Sequence, residues 1–180
     1  MQWLNPPAAY QDESGRLTVT TAPKSDFWRK THYGFVRDNG HFYNLEAAGN
    51  FEVSVKITGA YHDLYDQAGL MIRVDEANWI KTGIEFFGGM QHASAVVTRD
   101  FSDWSVTRLP DPPASLWIKA TRVKEAVNIY YSLDGSEFWL LRSAYLVPSE
   151  RCMVGPMCAS PDGTGFNAVF EDFTIKELAS

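Results

Sequence analysis

The chain has 180 residues, 45% of them apolar and 14% aromatic; that is one domain's worth of sequence, able to bury a substantial core and too apolar for disorder. Its formal net charge is −6, and its Lys and Arg residues are scattered, so the electrostatic footprint that holds a phosphate backbone is missing and nucleic acid is not an expected partner. No apolar run reaches the length of a membrane span, and the first residues lack the basic start and apolar centre of a signal peptide, so the expectation is a single cytoplasmic domain over residues 1–180 with no membrane partner.

Residues 1–10, with Trp3, Leu4, Pro6 and Pro7, read as an extended N-terminal arm packed on the domain. A short alternating strand follows at 17–20, ended by a turn at 22–26. The stretch 27–35 is too aromatic for a loop and is expected to return across a sheet. Turn residues at 37–40 precede a short strand at 41–43. After Gly49 and Asn50, Phe51, Val53, Val55 and Ile57 alternate with Glu52, Ser54 and Lys56.

Residues 65–98 organise the chain. Ala68, Leu70, Ile72 and Val74 fall on one side of a strand, with Gln67, Gly69, Met71 and Arg73 on the other. In the next strand Ile80, Thr82, Ile84 and Phe86 oppose Trp79, Lys81, Gly83 and Glu85, and a third runs from 92 to 98. One face is a core face. The other, bearing Arg, Lys, Glu, Gln and Trp, is either a solvated outer face or a binding groove.

A loop is expected at 100–104 and a strand at 105–109, stopped by Pro110-Asp111-Pro112-Pro113. Leu116, Ile118 and Ala120 alternate with Trp117, Lys119 and Thr121, and Val127, Ile129 and Tyr131 with Asn128, Tyr130 and Ser132. Leu133-Asp134-Gly135-Ser136 is a hairpin turn. Strands at 138–145, 152–159 and 166–175 complete the set. With no amphipathic helix and turn signals between a dozen or so short strands, the chain reads as an all-β antiparallel sandwich. Cys152 and Cys158 share one strand, roughly 20 Å apart, so two free thiols are expected.

Chemistry-bearing motifs are sparse. Neither a P-loop nor a dinucleotide-binding glycine motif occurs, so no cofactor is assigned. His32, His41, His62 and His92 form no ligand-spaced pair, and no metal is assigned. No Gly-x-Ser-x-Gly elbow is present. A sandwich glycosidase needs two carboxylates about 5–10 Å apart, and no catalytic residue is assigned. Glu85 is the one candidate, with Asp63, Asp66, Glu76 or Asp103 as partners only through tertiary approach. The structural alternative is a cross-strand ion pair of Glu85 with Lys81 or Arg73. The tryptophans suggest ring-stacking platforms among polar groups. The expected ligand-binding set is Trp28, His32, Tyr65, Gln67, Arg73, Trp79, Lys81, Glu85, Thr98, Trp104, Trp117, Lys119 and Tyr130.

Four runs carry a family resemblance: Asp26-Phe27-Trp28-Arg29-Lys30-Thr31, Gln67-Ala68-Gly69-Leu70-Met71, Asn78-Trp79-Ile80-Lys81-Thr82-Gly83-Ile84-Glu85 and Ser102-Asp103-Trp104-Ser105. Through them, and over nearly its whole length, the chain resembles a domain-of-unknown-function family of the concanavalin A-like lectin and glucanase superfamily. The resemblance implies a concanavalin A-like jelly-roll sandwich of two antiparallel sheets, one concave, with little or no helix. It further implies a concave sheet where superfamily members bind or cleave carbohydrate. The Glu-x-Asp-x-x-Glu cluster of the glucan-cleaving members is absent around Glu85.

The leading expectation is therefore a non-catalytic, carbohydrate-binding-like module holding a small polar or saccharide ligand. An alternative is a regulatory protein that binds a metabolic enzyme, as the enolase-regulator members of the family imply. A third is a saccharide hydrolase or isomerase using Glu85, with Asp66, Asp103 or His92 as second group.

Overall fold

Alternation of β-branched and aromatic residues with polar ones sends one set of side chains to each side of an extended chain. The computed structural model describes residues 1–109 and 111–179. It converts that alternation into sixteen strands: β1 (Gln2–Leu4), β2 (Ala9–Glu13), β3 (Arg16–Thr20), β4 (Phe27–Arg29), β5 (Val36–Asp38), β6 (His41–Ala48), β7 (Phe51–Gly59), β8 (Gln67–Arg73), β9 (Asn78–Phe87), β10 (Met90–Arg99), β11 (Phe101–Arg108), β12 (Leu116–Val123), β13 (Ala126–Ser132), β14 (Trp139–Tyr145), β15 (Arg151–Ala159) and β16 (Asn167–Glu177). There is no helix among the described residues. Pro110 of the predicted proline stop lies outside them.

Two seven-stranded antiparallel sheets form the jelly-roll sandwich, in the orders β1-β6-β15-β8-β9-β10-β11 and β14-β13-β12-β7-β16-β3-β2. Leu70 and Ile72 of β8, Ile80 and Ile84 of β9, Ile57 of β7, Ile118 of β12 and Phe170 of β16 meet between the sheets as the main core. The expected split of β8 and β9 into two faces is the one adopted. The second face is not solvated, however, because β8 is buried along its whole length.

The cover comes from the aromatic stretch after residue 26. β4 and β5 pair as a small separate hairpin, which lies across the concave face of the first sheet. Phe27 joins Phe42, Met71, Trp79, Val96 and Met157 in a second apolar cluster beneath it. Arg73 ties the hairpin down with a bidentate pair to Asp38 at 2.6 and 2.8 Å.

Three local expectations are corrected. The N-terminal arm is not merely packed on the domain: β1 pairs with β6 and β2 with β3, giving each sheet an edge strand. The strand expected at 41–43 continues to Ala48, because β15 pairs with it as far as Arg151↔Ala48. No loop occupies 100–104. β10 and β11 are joined through Asp100 alone, which takes the left-handed conformation at φ 62° and lets Arg99 face Phe101 directly.

Candidate functional site

Register assembles the concave face in rows. Gln67 of β8, Glu85 of β9, His92 of β10 and Arg108 of β11 are successive neighbours, as are Met71, Lys81, Val96 and Trp104. Beyond the hairpin's edge this face opens as a cavity of about 180 Å³, its floor made by Gln67, Lys81 and Glu85 and its walls by Asp26, Trp28, Tyr33, Phe35, Arg37, Tyr65, Trp104, Pro161 and Asp162. It adjoins a broader recess of about 1010 Å³ that shares Trp28, Tyr33, Tyr65 and Trp104 and runs on to His32, Arg99, Phe101 and Asp103. Together they form a groove that narrows onto Glu85.

Two buried charges lie on the floor without bonding to each other. Lys81, 3% exposed, donates to Gln67 Oε1 at 2.6 Å, Phe27 O at 2.7 Å and Asp26 Oδ1 at 3.3 Å. Glu85, 8% exposed, accepts at Oε2 from Ser94 Oγ at 2.7 Å and Trp104 Nε1 at 2.8 Å. The expected ion pair of Glu85 with Lys81 or Arg73 is therefore not formed: Arg73 belongs to Asp38 and Lys81 to Asp26. Burial raises the Glu85 carboxyl above its ordinary range, against the lowering effects of Lys81, Ser94 and Trp104, and the charge of Asp26 raises it further.

The roof over the groove is fastened by a carboxylate. Asp100 receives Arg29 Nη2 at 2.9 Å and Lys30 Nζ at 2.6 Å. Lys30, His32, Tyr65 and Asp100 all hold left-handed backbone, at φ 57°, 64°, 66° and 62°. Four non-glycine residues in that region around one groove concentrate backbone strain there. Tyr33 and Tyr65 touch across the groove, hydroxyl to hydroxyl, at 3.4 Å.

Seven of the thirteen residues expected to bind ligand lie together: Trp28, Tyr65, Gln67, Lys81, Glu85 and Trp104 line the cavity, and His32 the recess. Six lie elsewhere. Trp79 is on the right face, but its ring is fully buried beneath the hairpin, edge-on to Phe27. Thr98 is fully buried and bonded to Ser102 at 2.9 Å. Arg73 is consumed by Asp38. Trp117, Lys119 and Tyr130 belong to β12 and β13 of the other sheet and point away from its core. There Lys56 lies over Trp117, and Lys119 between Tyr130 and Phe138.

Sequence reasoning missed Asp26, Phe35, Arg37 and Asp162; Tyr33, one of its polar-flanked rings, does line the cavity. None of the four carboxylates considered as partners for Glu85 lines its cavity. Asp26 does, delivered by the turn before the hairpin, and the only advance signal was the aromatic density that follows it. Asp103 faces the recess and pairs with Arg142 at 3.3 Å. His92 stacks on Phe87 at 3.8 Å and lies outside the cavity. Asp66 is buried and bonded to Ser160, His62 N and Asp63 N. With Asp63 and His62 it brings ligand-type atoms within 4.8 Å of one another, yet both its oxygens hold protein donors, and Asp63 Oδ2 fastens Thr164. That group closes a loop. Both cysteines are free and buried, and burial raises both thiols.

Residues 3–178 match the family described as Protein of unknown function (DUF1349). The chain is 38% identical over 173 residues to Regulation of enolase protein 1 of Saccharomyces cerevisiae, which spans 96% of this chain and 87% of that protein. A solved structure of a functionally unknown protein from Saccharomyces cerevisiae has a TM-score of 0.95 and 37% identity, over 99% of this chain and 97% of that one. The GH43 BlXynB protein from Bacillus licheniformis has a TM-score of 0.73 at 16% identity, over 96% of this chain and 36% of the other. The carbohydrate binding module CBM66 from Bacillus subtilis has 0.62 at 12%, over 97% and 95%. These last two likenesses establish the fold.

Proposed function

We propose that this chain, which belongs to the family of Protein of unknown function (DUF1349), binds a small polar ligand of the saccharide class in the groove that narrows onto Glu85. The observation that carries the reading is the composition of that groove. Five aromatic rings, from Trp28, Tyr33, Phe35, Tyr65 and Trp104, surround a floor of buried polar groups. Rings offer apolar faces to a sugar, while a few fixed polar atoms set its orientation. The size agrees, since a cavity of about 150 Å³ accommodates a six-membered carbon ring. The shared fold with a carbohydrate binding module supports the reading by analogy.

Titration of the purified protein with monosaccharides and short oligosaccharides, followed by tryptophan fluorescence, tests it. Saturable quenching that is weakened in Trp28→Ala is expected. A flat titration across the panel would remove the reading.

Identity to Regulation of enolase protein 1 favours a second reading, a regulatory protein that binds a metabolic enzyme. Apolar side chains stand exposed outside the groove, Val106 on β11 at 39% and Leu140 on β14 at 58%, at edges of the two sheets that Arg142 links through Ser105. Retention of purified enolase by the wild-type chain and by Glu85→Gln, with loss in Leu140→Asp, would favour this reading over the first.

A further inference from the structure

The cavity's hydrogen-bond inventory is unequal. On its floor the charged donor is spent, and Gln67 Nε2 gives one of its two N–H groups to Tyr65 O at 3.1 Å. Lys81 uses its three N–H groups on Gln67, Phe27 and Asp26, Trp104 Nε1 is on Glu85, and Trp28 Nε1 is on Thr31 O at 2.9 Å. The acceptors are not spent. Glu85 receives both its hydrogen bonds at Oε2, and Asp26 receives Lys81 and Phe27 N at Oδ1. Glu85 Oε1 and Asp26 Oδ2 therefore have no hydrogen-bond partner among the described residues.

Charge points the same way. The lining holds three carboxylates, Asp26, Glu85 and Asp162, against two cations, Lys81 and Arg37. Lys81 is already paired, and Arg37 lies over the Phe35 ring with one bond to Pro161 O. An acidic ligand would face unpaired carboxylate oxygens and find no free cation on the floor. The aromatic walls add attraction for a cation, because ring faces carry negative quadrupole potential that is felt most where water is displaced.

We infer that the ligand is a basic sugar, a saccharide with a free ammonium group that docks against Glu85 and Asp26 while its ring lies among the aromatic walls. The inference rests on the saccharide reading and adds the charge class. An ammonium supplies three donors to the two open acceptors, and its charge restores neutrality among the five ionisable groups. The charge of Asp26 holds the Glu85 carboxyl up, and a cation bound between them offsets that charge.

The test is calorimetric titration at low salt and neutral pH with glucosamine, glucose, N-acetylglucosamine and glucuronate, and with ethanolamine as a primary ammonium without a sugar ring. Glucosamine should bind at least tenfold more tightly than glucose or N-acetylglucosamine, with glucuronate weakest. Glu85→Gln should abolish the preference for the amine. Equal or tighter binding of glucose overturns the ammonium inference and leaves the saccharide reading in place. Ethanolamine binding as tightly as glucosamine, with the neutral sugars silent, overturns the saccharide reading while the ammonium assignment stands. Silence from all five compounds overturns both.

Discussion

Trp104 Nε1 donates to Glu85 Oε2 at 2.8 Å, reaching from edge strand β11 across β10 to β9. The buried carboxylate is thus held by a half-exposed indole that also walls the groove. Anything that moves the ring at the surface changes the environment of the charge beneath it.

The pH dependence of folding follows from that burial. The native Glu85 carboxyl is raised above its unfolded value, so the native state keeps the proton longer than the unfolded chain does. Its contribution is complete below the ordinary glutamate value of about 4.3. It is lost as pH rises through the raised native value. Glu85→Gln keeps an acceptor for Ser94 and Trp104 and removes the charge, so its denaturant midpoint should vary less than wild type's between pH 4 and pH 8. Lys81 and Asp26, the nearest charged groups, are unchanged in both proteins. Parallel pH profiles would show that Glu85 ionises freely.

Trp79→Ala should unfold the roof's foundation and leave no ligand effect that can be separated from stability. The ring is fully buried in the cluster with Phe27 and Met71, and truncation of such a residue costs about 3–5 kcal/mol. Urea denaturation should show that loss. A cost under about 1 kcal/mol would mean that the hairpin collapses onto the space and that the cluster contributes little.

Trp117→Ala is the contrasting case. This half-buried ring lies on the other sheet, under Lys56 at 5.4 Å, and such a contact is worth about 0.5–1 kcal/mol at an exposed site. Stability should fall modestly and the groove's affinity for any sugar should not change. A loss of affinity would relocate binding to the β12–β13 surface.

Asp100→Ala should free the roof without unsettling the sandwich. It removes the carboxylate held by Lys30 and Arg29 and places a residue without side-chain compensation at φ 62°. Hydrogen exchange over residues 27–38 should accelerate while β8 and β9 stay protected. Acid should act similarly. Lys30 above all, then Arg29, holds the Asp100 carboxyl below its ordinary range, so the fastening is complete above that range and is lost as pH falls through the lowered value. Unchanged exchange in the variant would assign the roof's attachment to Phe27 and Arg73 instead.

The strands were legible because alternation records which side chains share a face, and 65–98 displays it without interruption. Gln67, Lys81 and Glu85 were legible as one face for the same reason. What covers a face is not encoded in its own period. Trp79 and Lys81 alternate identically in the sequence, yet the hairpin buries the ring and Asp26 claims the ammonium group. Trp117, Lys119 and Tyr130 have the same mixture of ring and charge as the groove. Their sheet is set by pairing with β7, through Trp117↔Lys56 and Lys119↔Ser54, which no local pattern announces. Asp26 lies 55 residues from Lys81, and only the folded hairpin brings it to Glu85.

The positions of β15 and β16 bear on how the chain reaches this structure. Among the described residues β15 alone links β6 to β8, and β16 alone links β7 to β3. Until residues 151–177 are in place, each sheet exists as two separate pieces, and the short pieces carry all of β1, β2, β3 and β6. Closure of both layers must therefore wait for pairings that span most of the chain, Cys158↔His41 and Phe170↔Leu17 among them. Such separations place folding in the slow, millisecond-to-second regime of non-local β-proteins. The order of events resembles two zips drawn shut from the same end, with the floor of the groove, β8 to β11, already assembled between them.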